Sequence, residues 1–234
     1  MKALPFLLAA CLALAQAPGP SPKAPPEPFA DESLRYSVNW PSGLSLGEAQ
    51  FLAKRAGDRW RFALSLDAAV PGFIVSDSYQ STAAKDFCSV EFVKTSTHGQ
   101  KKASERIAFD AQRGIATRQT LIADGGKSEV SAPGCARDAL AFLYFLRLEL
   151  SQGRLPPPQT VFFGAPYQLK LEYGGTQTIR VNDRPMEAER LRASLKGPAS
   201  ETNFELFFAR DAVRTPLMIR VPFAAGVFSL ELVR

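Results

Sequence analysis

The sequence predicts a mainly β protein of the α+β class. The expected form is a large curved antiparallel sheet or half-barrel of about ten or more strands, wrapped around one long buried helix. Three observations predict this. Segments that alternate apolar and polar residues recur along most of the chain, as half-buried strands do. Short Gly-, Pro- or Asp-containing turns separate them, which favours sequential hairpins. One stretch, Asp138–Gln152 (DALAFLYFLRLELSQ), is apolar on almost every side through Leu146, and a helix of that kind is normally buried rather than lying on a surface.

Taken in order, residues 1–15 read as a signal peptide. Lys2 supplies the positive start, Leu4–Leu14 the apolar segment, and Ala13-Leu14-Ala15 the small-residue cleavage site. Two processing routes stay open. Cleavage after Ala15 is favoured, because a cut after Ala17 places Pro18 next to it. The competing route reads Leu8-Ala9-Ala10-Cys11 as a lipobox, with a lipidated Cys11 as the mature N-terminus. Residues 16–32 are Pro-rich with few apolar anchors and read as an extended linker. Residues 33–234 then form a single β-rich domain.

The domain opens on Leu34, Tyr36, Val38 and Trp40, alternating with Arg35, Ser37 and Asn39. Gly47–Arg55 and Arg59–Asp67 form a hairpin about Ala56-Gly57-Asp58. Gly72–Thr82, Phe87–Ser96, Lys101–Asp110 and Ile115–Ile122 are further strands, and Ala123–Ser131 reads as a Gly-containing loop. Pro133-Gly134 precedes the helix, Asp138 suits the positive end of its dipole, and Gly153 with Pro156-Pro157-Pro158 stops it. Tyr167–Tyr173 and Thr176–Asn182 read as a hairpin about Gly174-Gly175. Glu187–Leu195, Asn203–Phe208, Arg214–Val221 and Val227–Val233 complete the sheet.

Composition narrows the function. Lys and Arg number 28 against 23 Asp and Glu. The signs are interleaved, so the excess is diffuse, and with no basic–aromatic cluster a nucleic-acid partner is not expected. No stretch in the mature chain reaches the roughly 20 apolar residues of a membrane span. If Cys11 leaves with the signal, Cys88 and Cys135 remain. An even pair in an exported chain points to a disulfide, which ties the start of the helix to the sheet.

Several motifs together resemble a bacterial exported family, domain of unknown function 3108. They are Leu34-x-Tyr36-x-Val38-x-Trp40, then Gly43-Leu44-x-Leu46-Gly47-Glu48-Ala49, then Asp138 to Arg147, and then Phe207-Phe208-Ala209-Arg210-Asp211-x-x-Arg214-x-Pro216. The resemblance spans about Leu34 to Val233. It implies an envelope-associated, β-rich protein with no established reaction. The family pattern often has Ser where this helix has Ala141, so no shared hydroxyl nucleophile sits there. Curved sheets cradling a helix also occur in periplasmic lipoprotein carriers, an analogy of fold that does not fix function.

No catalytic site, metal site or cofactor is expected. His98 is the lone histidine and falls in a turn between polar strands; Gly174-Gly175 has no strand–loop–helix context for phosphate; Glu187 and Glu189 read as a solvated strand edge, and Asp211 with Arg214 as a fixed turn. The candidate ligand-binding residues are Trp40, Tyr144 and Arg147. Arg147 is expected to pair with a carboxylate or backbone carbonyls at the sheet rim, the alternative being that it meets an anionic head at the mouth of an apolar cavity. Trp40 is expected to fill the core or else line that cavity. The expected function is non-catalytic binding of a lipid-like or glycan ligand in a groove between sheet and helix. The alternative is a structural or assembly factor that holds an envelope protein partner through a sheet edge. The chain is expected to be a monomer, periplasmic or secreted, or anchored as a lipoprotein at Cys11.

Overall fold

The computed structural model describes residues 29–70, 72–123, 125–198, 201–223 and 226–233, with Val70 and Phe223 described in their backbone alone. The expected signal peptide, Cys11 and most of the expected linker lie outside the described residues. The fold is mainly β: fifteen strands form a single sheet in the order β8-β7-β6-β5-β4-β3-β2-β1-β15-β14-β13-β12-β11-β10-β9. The sheet is open rather than closed.

Its first half is a meander: β1 (Glu32–Asn39), β2 (Ser45–Ala56), β3 (Arg59–Val70), β4 (Phe73–Ala84), β5 (Ser89–His98), β6 (Lys101–Asp110), β7 (Ile115–Thr120) and β8 (Lys127–Ser131). The chain then crosses to the far edge for the two-residue β9 (Arg137–Asp138), the helix α1 (Ala139–Ser151) and β10 (Gln159–Phe163). It returns through β11 (Ala165–Val181), β12 (Arg184–Lys196), β13 (Glu201–Ala209), β14 (Pro216–Phe223) and β15 (Gly226–Val233). β15 pairs antiparallel with β1, Tyr36 lying opposite Leu232. Among the described residues, only β9 and β10 pair in parallel.

The expected wrapping around a long helix is not found. α1 has 13 residues, about 20 Å at 1.5 Å per residue, too short for fifteen strands to enclose. It lies instead between the two halves of the sheet. Leu140, Ala141 and Tyr144 join a core built from β1–β6, with Trp60, Phe62 and Phe92. Phe142, Leu146 and Leu150 join a second core from β10–β13, with Leu169, Leu191 and Phe208.

Four local expectations are corrected. Ala123–Ser131 contains a strand, β8, because Lys127–Ser131 pairs with β7. After the prolines the chain forms a further strand, β10, which the alternation pattern does not signal. Gly174-Gly175 is not a hairpin turn but a bulge inside the 17-residue β11, where the register shifts between Tyr173 and Thr176. The true turn is Asn182-Asp183, both left-handed at φ 49° and 59°, the backbone that two-residue hairpins require. Finally, among the described residues Phe29 is already buried and β1 starts at Glu32, both inside the stretch read as linker.

Candidate functional site

α1 is fastened at both ends. At its start, Asp138 is the N-cap. One carboxylate oxygen accepts from the backbone N–H of Leu140 (2.9 Å) and Ala141 (3.1 Å). The other accepts from the hydroxyls of Ser81 and Ser89, each at 2.6 Å. Ser89 in turn accepts the Asp138 N–H at 2.8 Å. The carboxyl is fully buried. Burial pushes its pKa up, against the opposing pull of the two serine and two backbone hydrogen bonds. Cys88 and Cys135 are bonded to each other with Cα atoms 4.8 Å apart, and Ser89 N–H donates to Ala136 at 2.8 Å. The neighbouring Asp86 therefore faces no free thiolate.

Near the other end, the buried Arg147 guanidinium pairs with both oxygens of Glu32. Its Nε donates to the carbonyls of Val213 (3.1 Å) and Arg214 (3.2 Å). The rings of Phe29 and Tyr144 lie 4.6 and 4.9 Å from its charge, within cation–π range. Tyr144 also stacks on Phe62 at 4.2 Å. Burial, and then the charge of Glu32, hold the Tyr144 hydroxyl well above its ordinary pKa. The same corner closes with Tyr36, whose hydroxyl donates to Pro216 at 2.8 Å, and with Asp211, which accepts from Thr215.

An adjoining face of α1 borders an apolar cavity of about 310 Å³. Ala139, Phe142, Leu143 and Leu146 line it, the i, i+3, i+4, i+7 stripe of one helix face. Phe51 and Leu169 wall its buried depth. Tyr167, Leu195, Phe204 and Val221 also line it, are half-buried, and lie within three residues of the ends of β11, β12, β13 and β14. The cavity therefore opens toward that end of the sheet. Of its lining side chains only Tyr79 and Tyr167 carry a polar atom, and the Tyr79 hydroxyl is spent on Asp77 at 2.8 Å.

A larger recess of about 560 Å³ lies on the other face of β11–β14. Its charges are mixed: Lys170 pairs with Glu172 at 2.8 Å and Glu205 with the adjacent Arg190, while Arg192 and Arg220 also line it. It offers no comparable single chemistry.

The ligand-binding candidates named from the sequence do not converge on the cavity. Arg147 and Tyr144 sit in the core and do not line the cavity. Trp40 is half-buried just after β1, its ring 4.8 Å from Phe228. His98 is exposed and contacts Asp77 at 2.9 Å. Glu187 and Glu189 pair with Arg210 and Arg214, each at 3.3 Å. The cavity residues escape sequence reasoning because an all-round apolar helix does not announce which of its faces meets an opening.

A family model described as protein of unknown function (DUF3108) matches residues 35–233. No curated protein matches the chain by sequence.

Proposed function

The chain belongs to the DUF3108 family of proteins of unknown function, and from that premise we propose that it is an exported, non-catalytic binding protein. Its ligand is an apolar, acyl-chain-like molecule held between α1 and the sheet. The observation that carries this reading is the 310 Å³ cavity with its nearly uniform hydrocarbon wall. That volume lies at the lower end of small-molecule sites. The wall chemistry favours an acyl chain over a glycan, since a sugar desolvated against Leu, Phe and Val leaves its hydroxyls without partners. The Cys88–Cys135 bond suits an oxidising compartment. The acids on and against the helix, Asp138, Glu32 and Glu149, are each committed to protein partners, which fits a binding role rather than acid–base chemistry.

The alternative role in assembly rests on β8, the edge strand beyond β7. Its exposed Lys127 and Glu129 are the charges that discourage strand addition, so the cavity is preferred.

The test is native mass spectrometry of protein purified from an exporting host, followed by titration with a fluorescent fatty acid. A co-purified lipid-sized mass and saturable binding are expected. Leu143→Trp, which fills the cavity from a half-buried position, should weaken binding about tenfold or more while the fold is kept. A ligand-free protein that fails to bind the probe, or binding indifferent to Leu143→Trp, would sink the reading.

A further inference from the structure

We propose that one end of the sheet docks on an anionic lipid bilayer. Antiparallel strands put alternate turns at opposite ends, and the two ends of this sheet differ in chemistry. The turns after β1, β3 and β7 and the start of β15 fall at one end. There the chain exposes Leu44, Phe73, Ile74, Leu121, Ile122 and Val227, with Leu44 and Ile74 about two-thirds exposed at 64% and 65%. Exposed apolar side chains of this size are costly to leave in water, and concentrated patches of them mark interaction sites. The turns at the other end of the same strands carry exposed Gly57-Asp58, Lys85-Asp86 and Gln112-Arg113 instead.

Three features favour a bilayer over a protein partner. The apolar residues stand on separate hairpin tips, spaced across the sheet, rather than on one continuous face that a folded partner could match. Exposed Lys101 and Lys102 open β6 between two of those tips, and exposed Lys127 opens β8. Apolar tips among cations are complementary to acyl chains beneath anionic headgroups; Asp124 is the one acid in the sequence of the turns around these lysines. Trp40 and Phe228, packed ring to ring at 4.8 Å, lie at the same end, and aromatic residues of this kind favour the membrane–water interface. The apolar cavity opens toward this end too, so a docked protein would present its mouth to the membrane. The docking itself does not rest on the cavity being occupied.

The test is vesicle flotation with the full chain carrying Cys11→Ser, so that no acyl group supplies the affinity. Phosphatidylcholine vesicles are compared with vesicles containing about 30% phosphatidylglycerol. Binding to the anionic vesicles is expected, weakening as salt rises from about 0.1 to about 0.5 M. Phe73→Ser with Ile74→Ser should lower it about tenfold or more, and Lys101→Gln with Lys102→Gln about fivefold per lysine. Leu44→Ser is the second apolar variant, should the first pair fail to fold. Lys85→Gln, at the other end, and the cavity-filling Leu143→Trp should leave vesicle binding unchanged. The proposal is overturned if neither vesicle binds, or if Lys85→Gln weakens binding as much as a rim lysine does. It is equally overturned if the apolar variants abolish self-association while vesicle binding persists, which would make the rim an interface between copies of this chain.

Discussion

Glu32→Gln is the most informative single change outside the cavity. Arg147 is fully buried and Glu32 is its only carboxylate partner among the described residues, with 18% of the Glu32 side chain exposed. The substitution keeps shape and one acceptor but removes the counter-charge. The guanidinium is left with two carbonyls and two ring faces. Stripping one partner from a buried pair costs about 3–5 kcal/mol; the residual exposure of Glu32 puts this case near about 3. Arg147→Met removes the charge itself and the donors to Val213 and Arg214, at about 1 kcal/mol per lost hydrogen bond, and leaves a carboxylate that can still reach water, for about 2–3 in all. The double variant has no buried charge. It should cost about 3 kcal/mol rather than the sum of the singles, a coupling of about 2–3. Urea unfolding with the disulfide intact measures all three. Additive costs, or a Glu32→Gln penalty under about 1 kcal/mol, would refute the reasoning and class the pair with exposed ion pairs.

Four further outcomes are expected. Replacing Cys88 and Cys135 by Ser opens a loop of 47 residues, so unfolding free energy should fall by about 4 kcal/mol on the chain-entropy model, and denaturation with and without reductant should show the parent alone responding. Asp138→Ala removes the helix cap, worth about 1–2 kcal/mol, and strands two buried serine hydroxyls, so its thermal unfolding should drop further than that of Asp138→Asn, which keeps an acceptor for the cap. Because burial raises the folded pKa of Asp138, the folded protein holds this proton to higher pH than the unfolded chain; the group's stabilisation is complete below about pH 4, the unfolded value, and is lost as pH rises through the raised folded value, so the parent should lose stability across that window relative to the non-titrating Asp138→Asn. Gly47→Ala should destabilise by more than about 2 kcal/mol in chemical unfolding, since a Cβ there would lie 2.0 Å from the Asp67 carbonyl oxygen on β3 and force the strands apart.

What the sequence disclosed follows from which physical signals are local. Alternation along β1–β7 and β12–β15 located those strands to within a few residues, because a half-buried strand writes its two faces into consecutive positions. The cysteine pair was legible by parity. The errors share one cause: a local motif has two structural solutions and a distant partner chooses. Gly174-Gly175 can turn a hairpin or relax a bulge, and continuous pairing of β11 with β12 on both sides decided for the bulge. Arg147 after an apolar run can likewise face a ligand or a carboxylate; here the expected pairing with a carboxylate and carbonyls holds, and its partner is Glu32, 115 residues away. Ser81 and Ser89 carry no sign in sequence that they share one oxygen of Asp138, since that contact exists only once β4, β5 and β9 are brought together.

The two fastenings of α1 bear on why a cavity persists beside it. A helix free to move would settle onto β11–β14, since closing apolar space is favourable. A cavity of about 310 Å³ walled by hydrocarbon leaves its lining without the dispersion contacts that a settled helix would make, contacts that are individually tiny and collectively large. The start of α1 is held to β4 and β5 by Asp138 and by the Cys135 bridge. Near its end, Arg147 holds it to Glu32 and to the carbonyls of Val213 and Arg214. None of these anchoring side chains lines the cavity, so they resist that movement without filling the space. On the proposed reading, an acyl chain entering from the open end offsets the cost that the anchors maintain. Weakening an anchor should then let the helix relax, shrink the cavity and lower ligand affinity, while the ligand should restore part of the stability lost. Thermal unfolding of Asp138→Asn with and without fatty acid measures both effects. A variant with unaltered affinity and no larger thermal shift on binding than the parent would separate the anchors from the cavity and leave them a purely structural role.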